Sequence, residues 1–158
     1  MKEKIIYLFA GIIISVSCNN TQTTSTQQQV QDTATKPKPP INFTGQYCYS
    51  YIHNKDSVTL RIVVSDSSVT GKLMYNFFEK DDNDGVIQGS LKNDTLIANY
   101  TFTSEGKESV RQVAFLLSDS SAKEGYGNMV QQDTVMRFSN PDSLSFNNSL
   151  VLKKRSCQ

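Results

Sequence analysis

Arg111 and Ser109, two residues apart, carry the chemistry most readily drawn from this chain, with Glu105 upstream and Glu124 and Tyr126 downstream. A guanidinium is a planar fork of donors that meets a carboxylate or a phosphate bidentately. Buried, it needs a carboxylate partner, and Glu105 and Glu124 are the nearest by position. Two uses follow from that pairing. One is a structural ion pair that plugs an end of the fold. The other is a mouth in which Arg111 meets the carboxylate or phosphate of a ligand, with Ser109, Glu105, Glu124 and Tyr126 around it. Ser109 and Arg111 share strand parity with Val113, Phe115 and Leu117, which turns them inward, and a one-residue slip would turn Arg111 out to solvent.

Other chemistry has less to stand on. His53 is the single imidazole and no Gly-x-Ser-x-Gly elbow is present, so nucleophilic catalysis lacks its parts. The carboxylates cluster in turns rather than on facing strands, which does not suit a glycosidase pair. The acidic stretch Glu79 to Gly85 invites a calcium reading. Aligning Gly85 with the loop glycine, however, puts Lys80 where the first Asp belongs and Leu91 where the bidentate Glu belongs, so a solvated hairpin with Asp84-Gly85 in its turn is expected instead. No metal, no cofactor and no enzymatic activity are expected.

The N-terminus speaks of location. Lys2 and Lys4 precede an apolar run that ends in Ser15-Val16-Ser17-Cys18, the pattern of a secretory signal. The run from Ile5 to Val16 is about 12 residues, against roughly 20 for a spanning helix. Its end resembles a bacterial lipobox, with Ser15 where Leu is usual. That resemblance implies that Cys18 carries acyl chains, palmitate among them, and starts the mature protein. Asn19 is not the Asp of an inner-membrane retention signal, and the first carboxylate after Cys18 is Asp32, so the periplasmic face of the outer membrane is expected. From Asn19 to Pro40 the chain is rich in Thr, Gln and Pro and too polar to fold. The organisation is thus signal peptide 1–17, lipidated Cys and disordered linker 18–41, and one folded domain 42–158. Without Lys2, Glu3 and Lys4, which sum to +1, the formal charge of +1 becomes zero. Neutrality argues against nucleic acid and against an electrostatic grip on anionic lipid. In an oxidising compartment Cys48 and Cys157 read as a disulfide, the alternative being two thiols that never meet.

The elements that must position these groups are strands. Alternation with period two runs through Tyr47-Tyr49-Tyr51, Val58 to Val64, Val69 to Phe77, Ile87 to Leu91, Leu96 to Phe102 and Val113 to Leu117, with shorter candidates at 122–126, 134–138 and 149–153. Short turn signals such as Asn54-Lys55, Lys92-Asn93-Asp94 and Glu105-Gly106 join antiparallel neighbours. The expected fold is all-β, a small antiparallel up-and-down β-barrel of about eight strands, lipocalin-like, in which Cys48 and Cys157 would staple the first strand to the last. Gly71 and Gly89 at core-facing positions indicate either internal space or a strong strand bend.

Gly45-Gln46-Tyr47, the 79–85 loop, Ser104-Glu105-Gly106 with Ser109 and Arg111, Glu124-Gly125-Tyr126-Gly127 and Cys157 together resemble a group of small uncharacterised Gram-negative envelope lipoproteins. A looser likeness, through Ser120 to Tyr126, is to the membrane-bound inhibitors of c-type lysozyme, although the expected Gly after Ser is missing. These resemblances imply an envelope location and binding without catalysis. The ligand would be small and apolar or acidic; the second possibility is a protein partner met through loops 79–85 and 119–128. A hollow lumen would favour the first, a filled one the second.

Overall fold

The computed structural model describes residues 42–158; the expected signal peptide, the lipidated Cys18 and the linker lie outside the described residues. Ten strands follow in order: β1 (Gly45–His53), β2 (Asp56–Ser65), β3 (Ser68–Asn76), β4 (Asn83–Lys92), β5 (Thr95–Ser104), β6 (Lys107–Leu117), β7 (Ser121–Gly125), β8 (Met129–Gln132), β9 (Val135–Phe138) and β10 (Val151–Arg155). Five links are two-residue turns whose first residue, Asn54, Asp66, Asn93, Glu105 or Asp133, has φ between 50° and 57°. Left-handed backbone at that position matches the right-handed twist of hairpin strands, and Asn and Asp tolerate it best.

Strands β1 to β7 lie side by side in chain order, and β10 fits between β7 and β1. Every pairing around that ring is antiparallel, so the sheet closes into the expected eight-stranded up-and-down barrel. Closure leaves no free edge in the ring itself. Cys48 stands opposite Arg155 across the β1–β10 seam, and its disulfide to Cys157 staples that seam from outside. The tail beyond the bond folds over β2, where Arg61 Nη1 donates to the Gln158 carbonyl at 3.0 Å.

Inside, alternate residues from all eight strands meet in one core. Tyr49, Leu60, Ile62, Leu73, Ile87, Leu96, Tyr100, Phe115, Leu117 and Leu152 are all less than 2 % exposed. Eight strands enclose just enough width for such side chains, and here they fill it. Gly71 and Gly89 mark bends and not space: a Cβ on Gly71 would collide with the Arg61 carbonyl, and one on Gly89 with the Ile97 carbonyl and Ala98.

Two expectations need correction. Asp84-Gly85 is not a turn: both residues lie within β4, where Asp84 pairs with Met74 and Thr103 and Gly85 with Leu73 and Phe102. The chain reverses earlier, over residues 77–82, with the Lys80 N–H donating to the Phe77 carbonyl at 3.0 Å. The second concerns the short strands. The stretch at 122–126 is β7 and that at 134–138 is β9, but β9 lies outside the ring and pairs with β8, a strand that the pattern did not reveal.

The disulfide closes a separation of 109 residues. Chain entropy for a loop of that size predicts that the Cys48→Ser/Cys157→Ser double variant loses about 4–5 kcal/mol of unfolding free energy. Urea titration of oxidised wild type and variant measures it, and a loss below about 1 kcal/mol would mean that the strand pairing holds the seam alone.

Candidate functional site

The barrel has two unequal ends. At one, β6 pairs with β7 through residues 114–117 and then, through Val110 and Arg111, with β9 running parallel to it. There β7 has left the ring, and β9 takes its place beside β6. The inward residues at this end are Tyr75 from β3, Tyr100 and Phe102 from β5, Arg111 from β6 and Glu124 from β7.

Arg111 faces inward as its parity predicts, opposite Tyr100. Its guanidinium carbon lies 5.5 Å from the Tyr75 ring centre, 5.8 Å from Tyr100 and 5.4 Å from Phe102. All three are within cation–π reach, and Tyr100 and Phe102 stack on each other with centroids 4.7 Å apart. The rings hold the cation in place without using its donors. Arg111 Nε is buried with no hydrogen-bond partner, and no side chain among the described residues forms a hydrogen bond or ion pair with this guanidinium.

The expected carboxylate partners fare differently. Glu124 is inward and buried, at 8 % exposure. Its oxygens are already engaged: Oε1 accepts from the Tyr75 hydroxyl at 2.6 Å and Oε2 from the Tyr126 hydroxyl at 3.0 Å. Tyr75 therefore stands between the charges, its ring toward Arg111 and its hydroxyl on Glu124. Glu105 is not a partner. It sits exposed in the two-residue turn between β5 and β6, at φ 50°, and sequence proximity to Arg111 did not bring it inward. Ser109 pairs with Phe102 on the inward parity but lies exposed at the rim. The five predicted residues thus split into a joined trio, Arg111, Glu124 and Tyr126, and two outliers.

Sequence reasoning missed Tyr75, Tyr100 and Phe102 as site residues, although their parity had placed them inward. A cavity of about 90 Å³ opens between Arg111, Gln112, Glu124, Tyr126, Met129 and Phe138. Gln112 joins the hairpin to the ring, its Oε1 accepting from the Phe138 N–H at 3.1 Å. Unmet hydrogen-bonding capacity gathers at this end. Of the four buried side-chain polar atoms without a partner among the described residues, Arg111 Nε, Asn83 Oδ1 and Ser149 Oγ lie toward this end, and Tyr49 Oη elsewhere. Buried polar atoms in folded proteins are nearly always paired, so three orphans toward one barrel end set that end apart from the apolar waist.

Burial and the neighbouring Glu124 charge push the Tyr126 phenol up to about 12. The Tyr75 phenol is raised further, by burial first and then by the same carboxylate. The described residues hold no cluster of His, Cys, Asp and Glu suited to a metal ion. The stretch that resembles a lysozyme-inhibitor loop is strand from Ser121 to Gly125, entered by a tight turn in which Ser118 Oγ accepts from the Ser121 N–H at 3.0 Å.

An eight-stranded closed barrel with a filled waist and a cationic, aromatic-walled mouth is the class that these features define. Neither a protein-family model nor a curated protein nor a solved structure matches this chain.

A phenol raised in the folded state keeps a proton that the unfolded chain gives up. Its stabilising contribution is whole below pH 10 and fades as the pH climbs toward 12. Glu124→Gln removes the second cause and leaves burial. Tyr126 should therefore ionise between 10 and 12, at lower pH than in wild type, and stability should fall by about 1–3 kcal/mol for the lost charged acceptor. Ultraviolet phenolate titration alongside a thermal melt checks both; an unchanged titration would mean that burial alone sets it.

Proposed function

We propose that this protein is a non-catalytic binding module, tethered through acyl chains on Cys18 to the periplasmic face of the outer membrane, whose barrel mouth receives an acidic group. The observation that carries the reading is Arg111, held over three rings with its Nε buried and orphaned. Tyrosine hydroxyls engage both oxygens of Glu124, which supports a guanidinium available to a ligand. A planar fork without an internal partner suits a carboxylate or a phosphate.

Size limits what enters. The waist is filled by side chains, and a mouth of about 90 Å³ has room for roughly three waters' worth of volume, enough for the end of a molecule and not for a lipocalin-type cargo. The acidic end of a ligand docks, and its remainder stays outside. A protein partner is the second reading, favoured by the apolar rim: Tyr126, Val130 and Met136 beside the mouth and Phe78 in the β3–β4 loop are 39–50 % exposed. Signal, lipobox resemblance and polar linker support the tether.

Acetate titration followed by the Arg111 Nε–H resonance of isotope-labelled full-length chain tests the mouth. A saturable shift is expected in wild type, and in Arg111→Met no acetate-dependent change in the Tyr75 or Tyr126 ring signals. Rings that respond equally in both proteins would sink the reading. Intact mass of protein purified from its own envelope tests the tether separately, the expected result being a chain starting at Cys18 with acyl mass that Cys18→Ala abolishes.

A further inference from the structure

The barrel register sorts the surface charges in a way that net neutrality hides. On β7, β10, β1, β2 and β3, five consecutive neighbours around the ring, the outward positions carry Lys123, Lys153, Arg155, Arg61 and Lys72. All five cations are exposed, and not one outward position on these strands is Asp or Glu, although Arg61 also donates to the Gln158 carbonyl of the tail. Arg155, Arg61 and Lys72 stand in one cross-strand row, with Cys48 between the first two. Adjacent strands lie about 4.8 Å apart, so that row runs roughly 15 Å around the wall. The balancing carboxylates lie elsewhere. Asp66, Asp94, Glu105 and Asp133 occupy turns, Glu79, Asp81 and Asp82 the β3–β4 loop, and Asp84 the next strand, at the border of the patch.

Apolar side chains are interleaved with the cations. Ile52 is 70 % exposed, Val63 48 %, Met74 42 % and Val151 39 %, all pointing outward from these same strands. Two shallow grooves of about 400 and 470 Å³ flank Arg61, one lined by Lys72, Met74 and, at its edge, Asp84, the other by Ile52, Arg155 and Gln158.

We infer that this wall docks on the headgroups of an anionic phospholipid surface. Charge complementarity requires a partner dense in negative charge. Scattered apolar side chains on a convex wall enter a headgroup–acyl boundary without the shape match that a protein interface demands. The tether proposed above would bring such a surface close, but the wall's composition stands independently of it. Net neutrality argues against a grip on anionic lipid, but attraction of this kind falls off within about a Debye length, so the inference rests on local charge and not on the net sum.

Vesicle flotation of full-length chain carrying Cys18→Ala tests the wall without acyl insertion. Phosphatidylcholine vesicles, with and without phosphatidylglycerol, are compared for this protein and for the same chain bearing Arg61→Gln, Lys72→Gln and Arg155→Gln. Each near-surface cation contributes roughly fivefold, so the triple variant should lose about a hundredfold of its affinity for the anionic vesicles. Its weak association with phosphatidylcholine alone, carried by the N-terminus, should not change. An Arg61→Lys/Arg155→Lys variant should bind as wild type does, which separates lost charge from lost fold. Equal phosphatidylglycerol dependence in wild type and triple variant, absence of binding by both, or loss of binding in the lysine variant would each overturn the inference. Loss of acylation at Cys18 leaves this outcome untouched, so failure of the tether and failure of the wall are told apart.

Discussion

Closure of the sheet is the constraint on which the other features rest. Seven strands in meander order would leave β1 and β7 as open edges, each a row of unpaired backbone groups. β10 resolves both at once, pairing Cys48 to Ser50 with Arg155 to Lys153 on one side and Ala122 with Leu152 on the other. The chain must travel from β7 through β8, β9 and a 3-10 turn before it returns, and the disulfide holds that late arrival in place. Once the ring is closed, its width is set by strand number. An eight-stranded interior has room for side chains and little else.

That width determines where chemistry can be. Tyr49, Tyr100 and Phe115 consume the waist and leave little room there for further polar groups. Polar function is displaced toward the end where β7 leaves the ring and β9 replaces it. A parallel pairing of two residue pairs, Val110 with Val135 and Arg111 with Met136, continues the wall there with a short hairpin strand. The resulting arrangement separates a cation and a carboxylate that would otherwise neutralise each other. A direct Arg111–Glu124 pair would be a plug. Tyr75, its ring toward one charge and its hydroxyl on the other, keeps both in the mouth and leaves the guanidinium unspent.

Much of this was legible in one dimension, for physical reasons. Period-two alternation is enforced wherever one sheet face is buried, so Arg111 could be turned inward by counting from Val113 and Phe115. Two cysteines placed in strands or tails at the two ends of one β domain point to the seam. Legibility failed where tertiary pairing overrides local signals. Asp84-Gly85 carries turn chemistry, yet Gly85 is needed inside β4 because the Thr101 carbonyl and Phe102 of β5 approach too closely for a side chain. Met129 to Gln132 has neither alternation nor apolar content enough to declare a strand, and exists as one because β9 offers it an edge. Glu105 was chosen as a partner by closeness in sequence, but on a hairpin a residue at the turn tip is the one farthest from the lumen.

The charged wall belongs to a further level of information, carried by register and strand order and absent from any local window. Lys72 and Arg155 are 83 positions apart in the chain, yet share a cross-strand row because β10 closes beside β1. Closure also fixes how wall and mouth relate. The wall runs along the barrel's side and the mouth opens at its end, so the two surfaces point in different directions. A domain lying on headgroups through Arg61, Lys72 and Arg155 would keep the Arg111 mouth facing along the membrane plane, clear of the lipid it rests on. Arg111 would then meet ligands arriving from the side, while anionic headgroups engage only the wall cations. The two proposed roles of cationic chemistry would then not compete, because one set faces out from the strands and the other faces in.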